Sequence, residues 1–190
     1  KAQLILRVLP IGSLRYRLVL RAVVAYVKGE LALGSKIRFR QPRRRSVEHV
    51  RHIQSDTRRL EFLTDGHARV AVVIPVYNSW NVTEDCLRSL MMTTNRTQFR
   101  VVVVNDGSSD ETSEQLSRIP GLTVVGDGQN HGFLRAVHAG VAATTEELVV
   151  LLNNDTIVTD GWLDALVDTA DADASVGIVG SMLLYPDGIL

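Results

Sequence analysis

Cysteine is nearly absent: Cys86 is the one example in 190 residues. That excludes an intramolecular disulfide and any cysteine-rich metal site, and it fits a reducing compartment. Aromatic residues make up only 5% of the chain, and no nucleic-acid-binding motif is present, which disfavours a nucleic-acid partner. No secretory signal pattern is present, and Lys1 stands where a methionine would begin a complete chain, so a piece of a longer protein is expected. Three signatures are missing too. No Gly-x-Gly-x-x-Gly follows the first strand pattern, which disfavours a dinucleotide site. No Gly-x-x-x-x-Gly-Lys-Ser/Thr occurs, which disfavours a P-loop. No Gly-x-Ser-x-Gly elbow occurs, which disfavours an α/β-hydrolase.

What is present divides in two. The formal net charge of zero conceals residues 1–69, with 16 Lys/Arg against 5 Asp/Glu (+11), and residues 70–190, with 5 Lys/Arg against 16 Asp/Glu (−11). Such asymmetry predicts two units with different surroundings. In the basic part, Ser13 and Gly34 bracket a predicted helix over Leu14–Leu33, as N-cap and C′ residue. Its apolar run is too interrupted by arginine to span a bilayer. Gln41-Pro42-Arg43-Arg44-Arg45 then breaks the helix with a basic run. A helical extension packed on another domain and a helix lying on an anionic membrane surface both stay open. His49 and His52 have no partner carboxylate or cysteine pattern and are expected at the surface.

From Arg69 onward, strand and helix patterns alternate. Strands are expected near 70–76, 100–105, 122–126, 148–152 and 176–180, and helices near 82–93, 110–118, 131–143 and 160–170. This predicts an α/β fold with a Rossmann-like, mostly parallel sheet and helices on both faces. Asp110 and Asp160 are expected to cap the helices that follow them, and Ile119-Pro120-Gly121 to stop and turn the chain. Asp160, Asp164, Asp168, Asp171 and Asp173 are expected to form a solvated acidic face.

Three of the strand patterns run into chemistry. Val149-Val150-Leu151-Leu152 ends in Asn153-Asn154-Asp155. Val101–Val104 ends in Asn105-Asp106-Gly107-Ser108-Ser109-Asp110. Val72-Val73-Ile74-Pro75-Val76 ends in Tyr77-Asn78. In open α/β sheets, ligands bind beyond the carboxyl ends of the strands. A carboxylate there can hold a hard divalent cation against phosphate oxygens, so a nucleotide site is expected. For Asp106 an Asx turn, for Asp155 a plain loop acid and for Tyr77 ordinary packing remain open as structural alternatives.

These segments, with Asn130-His131-Gly132-Phe133, Gly161-Trp162-Leu163, Val179-Gly180 and Leu184-Tyr185-Pro186-Asp187-Gly188, resemble the inverting, GT-A-fold glycosyltransferases of family 2. The resemblance covers residues 70–190. Within the family, the segments look most like the rhamnosyltransferase-like branch that builds bacterial surface polysaccharides. The resemblance implies that Pro75 and Tyr77 shape the nucleotide pocket, with Tyr77 against the base. It implies that Asp106 accepts the imide N–H of uracil or thymine, that Asn153 lies near the ribose, and that Asn154 belongs to the nucleotide-binding set. Asp155 would hold Mg2+ or Mn2+ against the diphosphate. Asn153 replaces the first carboxylate of the family's Asp-x-Asp motif, and His138 stands where the family often has asparagine. For His131 and His138, packing or surface roles are expected.

The function so implied is inverting transfer of a sugar from a UDP- or dTDP-sugar to a glycan or lipid-linked acceptor. It is expected in the cytoplasm, with a place at the inner face of the cytoplasmic membrane through peripheral contact of the basic segment left open. Residues 70–190 would be the donor-binding part, with the catalytic base and the acceptor half expected beyond Leu190. The alternative is a non-catalytic nucleotide-sugar-binding or scaffold domain. A nucleotidyltransferase would need a Gly-rich, basic loop in place of Pro75-Val76-Tyr77-Asn78.

Overall fold

The computed structural model describes residues 4–7, 52–62 and 68–181. The predicted helix over 14–33, the basic run at 41–45, His49 and the segment 184–188 lie outside the described residues. Six strands form one sheet in the order β4-β3-β2-β5-β1-β6. They are β1 (Leu4–Arg7), β2 (Val70–Val76), β3 (Phe99–Asn105), β4 (Thr123–Val125), β5 (Leu148–Leu151) and β6 (Ile178–Gly180). Pairings β4–β3, β3–β2 and β2–β5 are parallel. Strand β1 is the exception, lying antiparallel between β5 and β6.

A parallel strand covered on both faces reads as a continuous apolar run, and all seven residues of β2 are buried. The two-residue period then sorts its side chains. Val70, Val72, Ile74 and Val76 enter one core, with helices α1 (Trp80–Met92) and α4 (Trp162–Asp171). Ala71 and Val73 enter the other, with α3 (Phe133–Ala142). Helix α2 (Thr112–Ser117) adds Leu116 to the first core. On α1 the buried Trp80, Thr83, Cys86, Leu87 and Leu90 recur at helical spacing. Helix α3 lies close to the sheet because Gly140 has no side chain: a Cβ there would stand 2.3 Å from Val73 Cγ1 and 2.7 Å from Val104 Cγ2.

The helices α2, α3 and α4 begin slightly later than the sequence pattern predicts. Gly132 and Gly161, with φ of 84° and 70°, turn the chain before α3 and α4 start. The N-cap position of α2 falls on Glu111, without a side-chain bond, and Asp110, one residue earlier, accepts the Thr112 N–H at 3.0 Å. Asp160 does not cap α4. It accepts the Thr94 N–H at 2.9 Å, and Asn95 Oδ1, from that same turn, accepts the Leu163 N–H at 3.2 Å.

Asp160, Asp168, Asp171 and Asp173 of the acidic stripe are exposed as expected, but the stripe is also a latch. Asp164 accepts the Arg96 and Thr97 N–H groups, each at 2.9 Å, and Asp168 binds the Arg96 guanidinium at 2.8 Å. Asp171 pairs with Arg69 at 2.7 Å. Burial pushes the Asp164 carboxyl up, but the N–H donors of Arg96 and Thr97 outweigh it and leave it below its ordinary value of 3.8. A carboxyl held low in the folded state contributes stability that is present above the unfolded value and lost as pH falls through the folded one. Denaturant midpoints are therefore expected to fall as pH drops below about 4. In Asp164→Ala that part of the pH dependence disappears, with a loss of about 1–3 kcal/mol at neutral pH. An unchanged pH profile in the variant contradicts the latch.

Residues 52–62 lie on this α/β body. Ile53 is fully buried and Leu60 is 7% exposed. Arg88 of α1 donates to the Arg58 carbonyl at 2.8 Å and to Glu84 at 2.5 Å, and the Phe62 N–H reaches the Pro120 carbonyl at 2.9 Å. The Arg58 side chain, and then its N–H, hold the Asp56 carboxyl down at about 2.

Candidate functional site

Chain direction reverses between β2 and β5. From β2 the chain steps to β3 and β4 on one side, then returns through α3 to β5 on the other. At such a switch point the connections leave in opposite directions and a crevice opens beyond the carboxyl ends of the strands. The three strand ends singled out in the sequence stand side by side there, because β3, β2 and β5 are neighbours.

Pro75 fits a central strand for a positional reason. Val73 O accepts the Leu152 N–H at 2.9 Å, so odd-numbered backbone groups of β2 face β5. The β2–β5 register ends at Val73↔Leu151, so the nitrogen of Pro75 faces the side where no partner strand continues. A proline is tolerated where the ladder needs no donor. Tyr77 follows, 52% exposed at the mouth of the crevice.

Asn78 and Ser79 carry φ of 55° and 62°, a left-handed conformation uncommon outside glycine and asparagine. Their turn is held by the neighbouring one. The Asn78 N–H donates to Ser108 Oγ at 2.8 Å, and Asn78 Oδ1 accepts the Ser109 N–H at 2.8 Å. Sequence reasoning gave Asn78 no role. The signal available was an amide side chain directly after the strand, the residue type that tolerates positive φ.

Asp106 is 7% exposed and makes no Asx turn. Its Oδ1 accepts the His131 N–H at 2.8 Å and its Oδ2 the Gly132 N–H at 2.9 Å. The carboxylate thus ties the end of β3 to the entry of α3, where it also faces the positive end of the helix dipole. Asn105 forms the local turn instead, accepting the Ser108 N–H at 3.0 Å. Gly107, with φ of 72°, lets this turn touch the 129–130 backbone, since a Cβ there would lie 2.5 Å from the Asn130 nitrogen.

At the end of β5, Asn153 O accepts the Thr156 N–H at 3.2 Å, closing a tight turn. The Asn154 side-chain amide donates to Thr83 Oγ1 on α1 at 3.0 Å. This turn presents Asp155 exposed. Cys86 lies beneath it, fully buried, and burial pushes its thiol up to about 12. It is a protonated packing residue, not a nucleophile. His131 Nε2 sits 2.9 Å from Asp127 Oδ2, and His138 is exposed on α3.

Among the described residues, no three His, Cys, Asp or Glu side chains converge as a complete metal site. Mg2+ and Mn2+ do not need one when a substrate supplies oxygens, since one or two carboxylates plus phosphate oxygens and water complete the shell. An exposed Asp155 at the crevice fits that mode of binding.

Comparison with known proteins follows this geometry. A family model described as Glycosyl transferase family 2 matches residues 71–189. The O-antigen biosynthesis protein RfbC of Myxococcus xanthus is 31% identical over 134 residues, 68% of this chain and 10% of that protein. The undecaprenyl-phosphate 4-deoxy-4-formamido-L-arabinose transferase of an Enterobacter species is 31% identical over 121 residues, 60% of this chain and 36% of that protein. Mannosyltransferase PcManGT from Pyrobaculum calidifontis, solved in complex with GDP-Man and Mn2+, superposes with a TM-score of 0.51 at 20% identity, covering 84% of this chain and 45% of that one. That likeness is one of fold, a GT-A-like α/β arrangement. The chain spans less than half the length of these relatives.

Proposed function

The chain belongs to glycosyl transferase family 2, and on that premise we propose that it forms the donor-binding part of an inverting glycosyltransferase. The donor is a UDP- or dTDP-sugar, and the acceptor is a glycan or a lipid-linked glycan. The observation that carries this reading is the convergence of Tyr77, Asp106 and the Asn153–Asp155 turn at the switch point between β2 and β5. Tyr77 offers an exposed ring to the base, and Pro75 shapes the wall beside it. Asn153 and Asn154 stand on the ribose side, Asn154 acting from its anchor on Thr83.

Asp155 would hold Mg2+ or Mn2+ at the diphosphate. A cation held there would supply positive charge against the negative charge that grows on the departing nucleoside diphosphate. The protein's own share is to fix Asp155 on a turn closed by its backbone, so that it meets the donor without reorganising. Attack from the face opposite the nucleotide needs a carboxylate base near the acceptor. We place that base in a part of the protein outside these residues.

We also propose that residues 70–190 form the donor-binding part and 1–69 a basic extension joined to it, since Leu4–Arg7 supplies β1 to the same sheet and residues 52–62 pack on the α/β body. Peripheral membrane contact through that extension, at the cytoplasmic face, fits a lipid-linked acceptor. No helix among the described residues is long and apolar enough to cross a membrane.

Calorimetric titration of the chain with UDP and dTDP, with and without Mn2+, tests the donor site. Binding that requires Mn2+ supports it. Absence of binding to both nucleotides in both conditions removes it.

A further inference from the structure

The ends of β2 and β3 stay joined beyond the point where their backbone pairing stops. That pairing ends at Val76↔Asn105, with the Asp106 N–H on Val76 O at 2.8 Å. Past it, side chains take over. The Asn78 N–H donates to Ser108 Oγ at 2.8 Å, and Asn78 Oδ1 accepts the Ser109 N–H at 2.8 Å. Ser108 is itself fixed, because its N–H donates to Asn105 Oδ1 at 3.0 Å. A hydroxyl and an amide oxygen thus stand in for backbone groups that longer strands would have supplied.

A return contact comes from Asp110. Helix α1 has no side-chain cap of its own and no acid in its first turn. Thr112 lowers the Asp110 carboxyl most, and the N–H groups of Ser79 and Trp80, which open α1, lower it further. An anion at the start of a helix is favoured by the helix dipole. The clasp therefore crosses in both directions, and it encloses Asn78 and Ser79, the non-glycine residues with positive φ among the described residues. Such a conformation persists only where surrounding contacts impose it, and it gathers at functional sites. Tyr77 lies between the two fixed points, Val76 and Asn78. Its ring is half-exposed, and its hydroxyl makes no hydrogen bond among the described residues. The backbone on either side sets its place.

Resting on the donor-site reading above, we propose that Asn78 is a positioning residue: it acts on the nucleotide through Tyr77, by clasping the backbone that carries the ring to the turn after β3. A ring that must find its place on binding gives up part of its contact energy to ordering. A ring on a backbone already fixed does not. Asparagine suits this position because it tolerates the left-handed conformation and brings an acceptor with it. Glycine adopts the same turn at lower cost but has no oxygen for the Ser109 N–H. The two demands on residue 78 therefore separate in Asn78→Gly, which relaxes the turn and removes the clasp.

The test titrates UDP and dTDP, with Mn2+ present, into the full chain as wild type, Asn78→Gly, Tyr77→Ala and the double variant, with thermal midpoints measured alongside. Tyr77→Ala is expected to weaken the tighter nucleotide by about 10-fold, the range of one base stacked on an aromatic ring. Asn78→Gly acts through that ring, so its loss reaches at most the same about 10-fold and vanishes once Tyr77 is gone. The double variant then binds like Tyr77→Ala alone. A role confined to stability would instead weaken binding by the same factor with and without Tyr77. Ser108→Ala removes the acceptor of the Asn78 N–H and leaves residue 78 untouched. It is expected to show the same dependence on Tyr77, and it carries the test if Asn78→Gly does not fold. Equal losses with and without Tyr77 overturn the inference, as does an affinity that neither clasp variant changes or a Tyr77→Ala that binds like the wild type. A wild type that binds neither nucleotide removes the donor-site reading itself, and this inference with it.

Discussion

Asp155→Ala is expected to abolish the Mn2+-dependent part of nucleotide binding and leave the fold intact. Asp155 is exposed on the turn after β5, and the Thr156 N–H to Asn153 O bond and the Asn154 side-chain amide hold that turn. With Asn153 in place of a second acid, Asp155 is the one carboxylate that the Asn153–Asp155 turn brings to the diphosphate. Its removal leaves a cation held by phosphate oxygens and water alone. Affinity in the presence of Mn2+ is expected to fall by about 100-fold or more, equivalent to about 2.7 kcal/mol. The thermal midpoint without nucleotide stays near that of the wild type. Asp155→Asn retains an oxygen ligand but not the charge, and falls between the two. Calorimetry with and without Mn2+ reads all three. Equal affinities in wild type and Asp155→Ala contradict the assigned role.

Asp106→Ala is expected to act on stability and binding together. The carboxylate is 7% exposed and satisfies two N–H groups at the entry of α3. Hydrogen bonds to a charged acceptor contribute about 1.5–3 kcal/mol each, and stranding the donors adds their desolvation. Since the two bonds share one carboxylate they do not add fully, and a loss of about 2–4 kcal/mol is expected by denaturant titration. Nucleotide binding weakens with it, because the 131–132 turn lines the site that the carboxylate positions. Asp106→Asn keeps one acceptor oxygen and loses less on both counts. Full retention of stability in Asp106→Ala would show that the 131–132 turn is held by other contacts.

The central sheet was legible in the sequence because its strands are buried on both faces. The β2 and β3 stretches are valine-rich apolar runs that no amphipathic helix would carry. The stop at Pro120 was legible too, whereas Gly132 and Gly161, which set the starts of α3 and α4, were not read as boundaries. The carboxyl-edge residues were legible because a polar residue directly after such a run has nowhere to go except the crevice. Strand β1 was not. Leu4–Arg7 is a four-residue segment whose place is decided by two pairings far along the chain, with β5 and β6, and no local pattern records such contacts. The acidic latch was missed for a similar reason. Asp160, Asp164 and Asp168 look like a solvated stripe until the 93–97 turn is laid across them, and the turn's own amide groups carry no charge signal. Asp106 stood out in the sequence, but its two bonds to the α3 entry join residues 25 and 26 positions apart, beyond what spacing reveals.

The most direct measurement is a crystal of this chain grown with UDP and Mn2+, with data collected to locate manganese by its anomalous scattering. The expected result is a manganese peak beside the Asp155 carboxylate, with the diphosphate against it and the uracil between Tyr77 and Asp106. A manganese peak remote from Asp155, or nucleotide bound away from the β2–β5 switch point, would contradict the donor-site assignment.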